Sequence, residues 1–388
     1  MPVPVEGKRR RMMTRPLLLV FVSAFGSSMG FYLLVSVVPL YAASIGAGGV
    51  GAGLATGALM LATVAADLVA PRLVARFGYR AVLAAGLLLL GVPAFALGST
   101  STMAGVLAVC VARGAGFGIT VVLGSALVAH LVPPERRGEG LGLYGIVVGV
   151  PAVVALPLGV WLLGQVGYPP VFAAGGLVAL VGLAVTPGLP GRSGPEPERP
   201  VGVLAGLRRP ALLRPLVVFF STTMAVGIVA TFVPLALPSA SGNLAALALF
   251  AQAATATVSR WWAGRHGDRH GQAVLLVPAV LASAIGMLAL VFVASPVAVV
   301  AGMLVFGAGF GVAQNATLAL MFERVSSSGY GTVSALWNIA YDAGWGLGAA
   351  GFGVVSVQTG YPWAFALTAA LVIAAIVPAR YDLRSSRS

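Results

Sequence analysis

The sequence predicts an all-α membrane protein whose twelve transmembrane helices form two related six-helix bundles. Apolar residues make up 59% of the 388 positions and charged residues only 9%, whereas soluble domains carry roughly 25% charged residues. The apolar residues are collected into twelve long segments, and the second six segments repeat features of the first six. The chain has too little charge to cover a surface in water, so a soluble, disordered or coiled-coil protein is excluded.

Each of the twelve segments is long enough to cross a bilayer, because a hydrocarbon core of roughly 30 Å requires about 20 apolar residues in a helix. Cys110, the only cysteine, lies inside the fourth segment, so no intrachain disulfide is possible. The predicted spans are residues 16–44, 50–71, 79–98, 103–129, 139–163, 168–188, 214–237, 243–263, 272–294, 296–321, 329–356 and 361–379.

Basic residues are concentrated in every second connection between the segments. The formal net charge is +13, and only Arg113 lies outside this pattern. The positive-inside rule places arginine-bearing connections in the cytoplasm. We therefore expect a multi-pass protein of a bacterial plasma (inner) membrane with both termini cytoplasmic, since abundant Arg, Ala and Gly are typical of a GC-rich bacterial genome. The same placement explains the charge without a nucleic-acid partner.

The two halves of the chain repeat each other at a constant offset of 193 residues, which separates Arg72 from Arg265 and Gly78 from Gly271. The segments GAGFG at 114–118 and 307–311 match at this offset, as do the GYP segments at 167–169 and 360–362. The predicted organisation is an N-terminal six-helix bundle (1–188), a cytoplasmic linker (189–213) and a C-terminal six-helix bundle with a short cytoplasmic tail (214–388).

The connections after the second and eighth segments carry a matched motif of glycine, acid, arginine and glycine. The second-half motif is complete, and the first-half motif has Ala75 in the position of the acid. The matching residues are Gly264, Asp268, Arg269 and Gly271 in the second half and Arg72, Arg76, Gly78 and Arg80 in the first.

With these loops and the repeat, the chain resembles the major facilitator superfamily over essentially its whole length. The resemblance implies a secondary transporter in which two bundles alternate around a substrate bound near the middle of the membrane. It also implies that the two motif-bearing loops form a cytoplasmic gate that latches the halves together. The missing acid at Ala75 departs from the family pattern and puts the usual form of that latch in question.

Three ionisable residues lie inside predicted spans, namely Asp67, Arg113 and Asp342. Each is costly in hydrocarbon unless it is paired, hydrated or neutralised. Asp342 is the deeper acid and the expected proton carrier, while Asp67 is expected to act near the cytoplasmic gate. Arg113, in the glycine-rich fourth span, resembles the buried arginine of the family and is expected to tune the potential of the cavity. The alternatives are a structural pair that only locks helices for Arg113, a helix-end charge that reaches the headgroups or neighbouring arginines for Asp67, and a helix-to-helix hydrogen bond for Asp342.

In this family the first, fourth, seventh and tenth spans line the central cavity. Polar residues of these spans, with one neighbour of Asp342, are therefore candidates for substrate contact: Ser28, Tyr32, Ser36, Thr223, Thr231, Gln314, Asn315 and Asn338. Helix packing or bending is the expected role of the small residues and prolines Gly114, Gly118, Gly145, Gly149, Pro151, Pro157, Gly307 and Gly311. The glycine and proline content of the fifth span partly resembles a signature of drug antiporters.

The expected function is proton-coupled efflux, by antiport, of a small amphipathic or hydrophobic compound. Import by proton symport remains open, and an intramembrane lipid- or prenyl-transfer enzyme or a non-transporting sensor are more remote alternatives. Lys8 is the only lysine, so a phosphate-binding P-loop is absent and the proton gradient is the expected energy source. No metal or other cofactor is expected. The expected partners are a small-molecule substrate, protons and the lipid bilayer, with the protein acting as a monomer.

The predicted topology can be tested by cysteine labelling. In a Cys110→Ala background, we expect Thr100→Cys, Ala240→Cys and Ser295→Cys to react with a membrane-impermeant maleimide added outside intact cells, because these connections carry no charge. Arg192→Cys, in the linker, should react only in inverted vesicles. If any of the first three positions were labelled only from the cytoplasmic side, the predicted topology would be wrong.

Overall fold

The computed structural model describes residues 13–133, 136–189, 206–238, 242–326 and 329–385. These residues are helical almost throughout, as expected where a helix must satisfy its own backbone hydrogen bonds. Most of the predicted linker, 189–213, lies outside the described part of the chain, as do residues 1–12 and 386–388.

The first half contributes six helices to the described residues. The first, α1, is Arg15–Val35, and after Ser36 the chain continues helically as Val37–Ala42. The remaining five are α2 (Gly48–Phe77), α3 (Tyr79–Ala96), α4 (Met103–Leu131), α5 (Arg137–Val166) and α6 (Tyr168–Val185).

The second half contributes six more within the described residues. A long helical stretch, Tyr330–Ala374, is interrupted by the non-helical Gly360, which separates α11 from α12. The short helix Ile376–Ser385 follows α12. The other four are α7 (Pro210–Ala236), α8 (Gly242–His270), α9 (Leu276–Ala289) and α10 (Pro296–Glu323).

The described helices confirm the all-helical membrane fold. Nine helical stretches are long and apolar enough to cross a membrane, and two of these, Arg15–Phe77 and Tyr330–Arg384, contain two spans each. These stretches account for eleven spans. The remaining span, α8, is long enough but more polar, because charged residues occupy its last third. Both α2 and α8 continue past the predicted ends at 71 and 263, so their motif arginines lie on helices and not in loops.

Four glycines show the repeat in the backbone itself. Gly78 and Gly271 follow α2 and α8 with φ of 80° and 88°, and Gly167 and Gly360 precede α6 and α12 with φ of 75°. Residues with a Cβ rarely adopt these angles. Each pair is separated by the same 193 residues that relate the two halves in sequence. The two six-helix bundles therefore share their turns as well as their composition.

The bundle has two distinguishable ends. At one end α2 turns into α3 at Gly78, close to Arg76 and Arg80, and we call this the arginine-rich end. At the opposite end α1 turns into α2 between Gly46 and Gly48, and we call this the arginine-poor end.

Within each half, the central glycines allow one pair of helices to approach closely. A Cβ on Gly114 would lie 2.0 Å from the Leu59 carbonyl oxygen, and a Cβ on Gly307 would lie 2.3 Å from the Gln252 carbonyl oxygen. Gly118 and Gly311 approach their neighbours in the same way. Leu59 and Gln252 are repeat equivalents, so α4 packs on α2 as α10 packs on α8.

The predicted packing glycines of α5 behave differently. No group lies within 4 Å of the position that a Cβ would take on Gly145 or Gly149. The expectation of close packing at these two residues is therefore not met, because this part of α5 faces open space. Pro151 and Pro157 lie in the same helix and are buried.

The two halves meet along α2 and α11 and along α5 and α8. A Cβ on Gly53 would lie 2.5 Å from the Ala349 carbonyl oxygen, and a Cβ on Gly353 would lie 2.6 Å from the Gly49 carbonyl oxygen. We call these four residues of α2 and α11 the glycine seam. Small residues at such a contact let two backbones touch, so the seam closes the arginine-poor end.

A buried hydrogen bond also joins the halves near the seam. The hydroxyl oxygens of Thr56 on α2 and Thr231 on α7 lie 3.0 Å apart, and both side chains are buried. The closed end thus combines backbone contact with one buried polar pair between the halves.

We expect Gly53→Leu to open the arginine-poor end. The added side chain clashes with α11, and overpacking of about 1–3 kcal/mol shifts the closed population by about tenfold or more. In a Cys110→Ala background, a cysteine replacing Ser356, beside Gly49, should label about tenfold faster from the arginine-poor side. Gly351→Leu is the matched control, because a Cβ there meets nothing within 4 Å. Equal labelling rates in both variants would show that the seam does not control this end.

Candidate functional site

Four polar side chains from both halves meet at the interface. Tyr32 of α1 is within hydrogen-bonding reach of Tyr341 of α11, and the charges of Asp342 and Arg260 act on both tyrosines. Tyr32 belongs to the first half and the other three to the second. We call these four residues the interface cluster.

A carboxylate of the first half lies beside the interface cluster. Asp67 of α2 and Asp342 of α11 interact electrostatically, and Asp342 is only 8% exposed. The Asp67 Oδ1 atom is buried without a hydrogen-bond partner and packs against α4, where a Cβ on Gly118 would lie 2.7 Å from it. Among the described residues neither acid forms a salt bridge. The structure therefore brings together two of the three ionisable residues predicted as a site, one from each half.

Aromatic rings flank the interface cluster on both sides. In the second half, Phe219 and Trp337 stack with ring centroids 4.2 Å apart, and the Trp337 ring lies 6.0 Å from that of Tyr341. In the first half, the Phe117 ring lies 6.4 Å from that of Tyr32. All but Phe219 are only half-buried, so these rings offer part of their surface to the space between the halves.

Arg113 lies inside the first bundle. It is 1% exposed, its Nη1 donates to the Leu90 carbonyl at 2.7 Å and its Nη2 donates to the Gly30 carbonyl at 3.0 Å. These contacts tie α4 to α3 and α1. Backbone carbonyls are among the partners that a buried arginine can use, so the contacts describe a structural connection among three helices. An influence of Arg113 on the cavity potential stays a prediction.

Among the predicted hydroxyl candidates, Tyr32 joins the interface cluster. Thr223 Oγ1 donates to the Ala340 carbonyl at 3.2 Å, and Thr231 forms the pair with Thr56. The structure buries all four of the other hydroxyl candidates: Ser28, Ser36, Thr223 and Thr231.

The predicted amide candidates differ in burial. Gln314 and Asn315 of α10 are half-buried and Asn338 of α11 is exposed. Asn315 faces α8, where a Cβ on Gly264 would lie 3.4 Å from Asn315 Nδ2. Their contact with a substrate stays a prediction.

The sequence pattern does not identify Arg260 and Tyr341 as site residues. It groups Arg260 with Arg265 and Arg269 as a basic connection, whereas the structure places Arg260 within α8 and beside the tyrosines. One signal could have found it, since the repeat offset aligns Arg260 with Asp67 inside a span. Tyr341 has no comparable signal beyond its position next to Asp342.

The predicted gate residues form contacts within their own halves. Arg80 donates from Nε and Nη2 to the Leu189 carbonyl at 3.2 and 2.6 Å, and the Asp268 carboxylate accepts from Gln272 Nε2 at 3.4 Å. A latch between the halves stays a prediction for this set, which lies toward the arginine-rich end: Arg72, Arg76, Gly78, Arg80, Gly264, Asp268, Arg269 and Gly271.

The sequence model of the Major Facilitator Superfamily matches residues 20–349 and again residues 238–387. These matches extend over most of the chain, and the chain belongs to this superfamily. It is a multi-pass membrane transporter and not an enzyme. None of the curated proteins matches its sequence.

Solved transporter structures superpose on nearly the whole chain. A mutant of nucleoside transporter NupG is 12% identical over 95% of this chain and 99% of that chain, with a TM-score of 0.78. The xylose transporter XylE from E. coli, in a partially occluded inward-open conformation, is 14% identical over 94% of this chain and 97% of that chain, with a TM-score of 0.74. A D-xylose-proton symporter is 16% identical over 93% and 96% of the two chains, with a TM-score of 0.74. At these identities the similarity shows the fold alone.

We expect Arg113→Ala to lower thermal stability by about 1–3 kcal/mol, the effect of leaving buried hydrogen-bonding groups unpaired. The melting temperature of the purified protein in detergent measures this effect. Arg113→Lys keeps the charge but can donate to fewer carbonyls, so its melting temperature should lie between those of the wild type and Arg113→Ala. Arg76→Ala, at an exposed position, is the control and should melt as the wild type does. If Arg113→Ala melted normally, the carbonyl contacts would carry no structural role.

Proposed function

We propose that this transporter couples the movement of a small amphipathic compound to that of protons, with the Asp67–Asp342 pair as the proton site. The observation that carries the proposal is that each half contributes one carboxylate to a pair at the interface. The proton gradient is then the energy source, and one chain is sufficient because both halves are present in it.

The coupling follows from electrostatics. Two neighbouring carboxylates repel each other when both are ionised, and the repulsion is strong where water is scarce. A single bound proton relieves it. Because Asp67 moves with the first half and Asp342 with the second, separating the halves changes how firmly the pair holds its proton. Proton binding and movement of the halves therefore influence each other.

The described conformation corresponds to one of the two states that such a cycle requires. The glycine seam closes the arginine-poor end, whereas Arg260, toward the other end, is exposed. We place the arginine-rich end and both termini in the cytoplasm, since basic connections are retained there. The interface cluster then faces the cytoplasm in this state.

Export by antiport is the first candidate for the direction of coupling. The feature that favours it is α5, whose small residues and prolines partly resemble the drug-antiporter signature. A substrate taken up from the cytoplasm would displace the proton from Asp67 and Asp342, and a proton from outside would reset the carrier.

Symport is the second candidate, and one observation favours it. Arg260 lies near the acid pair without an ionic partner among the described residues. Neutralising the acids would strengthen the positive potential at Arg260, so that a proton and a negatively charged substrate would bind together. One of the solved structures of the same fold is a proton symporter.

The test is transport in proteoliposomes with a compound panel and a lumenal pH dye. A gradient of one pH unit drives at most about a tenfold concentration ratio for each proton moved. We expect Asp342→Asn to reduce this accumulation to equilibration while substrate exchange remains measurable, because the proton is no longer exchanged. Asp67→Asn should have a milder effect, since this residue lies less deeply buried.

Glu139→Gln is the matched control, because Glu139 is an exposed acid that forms an ion pair with Arg136. It should keep the full dependence on the pH gradient. Unchanged gradient dependence in both Asp342→Asn and Asp67→Asn would rule out the pair as the proton site. The direction of dye response on substrate addition separates antiport from symport.

A further inference from the structure

We propose that the space beside the interface cluster binds a small aromatic acid, with Arg260 as the partner of the anionic group and the flanking rings as the site of the aromatic part. The inference rests on the proposed transport function and names its substrate class. It concerns binding and is independent of the direction of transport.

Arg260 differs from the other arginine placed deep in the spans. Arg113 uses two backbone carbonyls as acceptors and is fully buried. Arg260 is exposed, and no described carboxylate lies within salt-bridge distance of it. An arginine inside a span must be paired or hydrated. Its guanidinium carries five N–H donors in a planar fork that matches a carboxylate, so a substrate anion can serve as its partner.

The neighbours of Arg260 suit an anion. Tyr341 and Tyr32 are the two groups that interact with it electrostatically, and each carries a hydroxyl that can donate a hydrogen bond. Asp342 acts on the same two tyrosines, but no described carboxylate lies within salt-bridge distance of Arg260. Arg260 therefore has no direct ionic partner among the described residues, and its charge favours an anion beside it.

The rings near Arg260 suit a planar apolar group. Trp337 is held in place by a stack on Phe219 and by its Nε1, which donates to Thr317 Oγ1 at 3.3 Å. Tyr341, Tyr32 and Phe117 present partly exposed rings from both halves. Aromatic rings favour offset-stacked or edge-to-face contacts with other rings. A flat ring inserted between the halves would touch Trp337 and Tyr341 on one side and Phe117 on the other.

The experiment is equilibrium binding to the purified full-length protein in nanodiscs without a pH gradient, followed by tryptophan fluorescence and by thermal stabilisation. The probes are benzoate and 2-naphthoate, their neutral amides, and cyclohexanecarboxylate as a non-aromatic acid. We expect the aromatic acids to bind at least about tenfold more tightly than their amides, since a charge-assisted contact is worth about one to two orders of magnitude. Cyclohexanecarboxylate should bind more weakly than benzoate.

Three variants locate the site. Arg260→Gln should lose about tenfold or more in affinity for the acids and keep its weak affinity for the amides. Arg260→Lys, which retains the charge, should recover part of the loss and also shows that a change at this position folds. Arg265→Gln is the control, because Arg265 lies on the same helix but rests on the Trp261 ring, 4.0 Å from its centroid, and should bind the acids normally.

The outcomes separate this inference from the proposed function. Equal binding of acids and amides, or equal loss in Arg260→Gln and Arg265→Gln, would overturn the substrate class even if proton-coupled flux of another compound is found. Arg260-dependent binding of aromatic acids supports the proposed substrate class. If such binding were found without any flux in proteoliposomes, the proposed proton-coupled transport would be contradicted and the substrate class would not.

Discussion

The cost of placing a charge inside a membrane determines the arrangement of this protein's functional groups. Each ionisable side chain within the spans must be paired, hydrated or neutralised, and the structure provides a different solution for each. Arg113 donates from Nη1 and Nη2 to the carbonyls of Leu90 and Gly30, which connects three helices of one bundle. Asp67 and Asp342 lie together across the interface, where a shared proton is the available neutralisation. Arg260 has no carboxylate within salt-bridge distance among the described residues. The contacts of Arg113 lie within one half and do not change when the halves separate. The surroundings of the Asp67–Asp342 pair and of Arg260 do change, so we regard Arg113 as structural and the other three charges as functional.

Glycine determines how closely the helices around these charges can approach. Within each half, Gly114 and Gly307 allow α4 and α10 to touch the backbones of α2 and α8. Between the halves, Gly53 and Gly353 do the same for α2 and α11. Contacts of this kind depend on van der Waals packing and on the absence of a Cβ, because lipid gives no hydrophobic drive for helices to associate. A seam of small residues can therefore form and separate without exposing large apolar side chains, which suits an interface that must alternate.

Much of the fold could be predicted from the sequence, because span length, arginine placement and the 193-residue offset are long-range signals that survive local ambiguity. Asp342 and Tyr32 could be selected as polar residues inside spans. Arg260 could not, although it falls within the predicted span 243–263, because a basic residue four positions before a loop motif has the same local pattern as a loop residue. Only the structure places it beside Tyr341 and Tyr32. The absence of a close neighbour at Gly145 could not be predicted either, since a small residue allows close packing but does not require it.

The sign of coupling depends on which of the two charged groups the substrate engages. A cation attracted to Asp67 and Asp342 would compete with the proton there, and competition for one site produces antiport. An anion on Arg260 would have the opposite effect, because its negative charge reaches the acids through the neighbouring Tyr32 and Tyr341 and favours a bound proton. The proton and the anion would then assist each other and move together. The drug-antiporter resemblance of α5 and the unpaired arginine of α8 therefore favour different cycles on the same scaffold. The charge of the transported compound decides between them, because the repulsion between two carboxylates can be relieved by a proton or by a cation but is only increased by an anion.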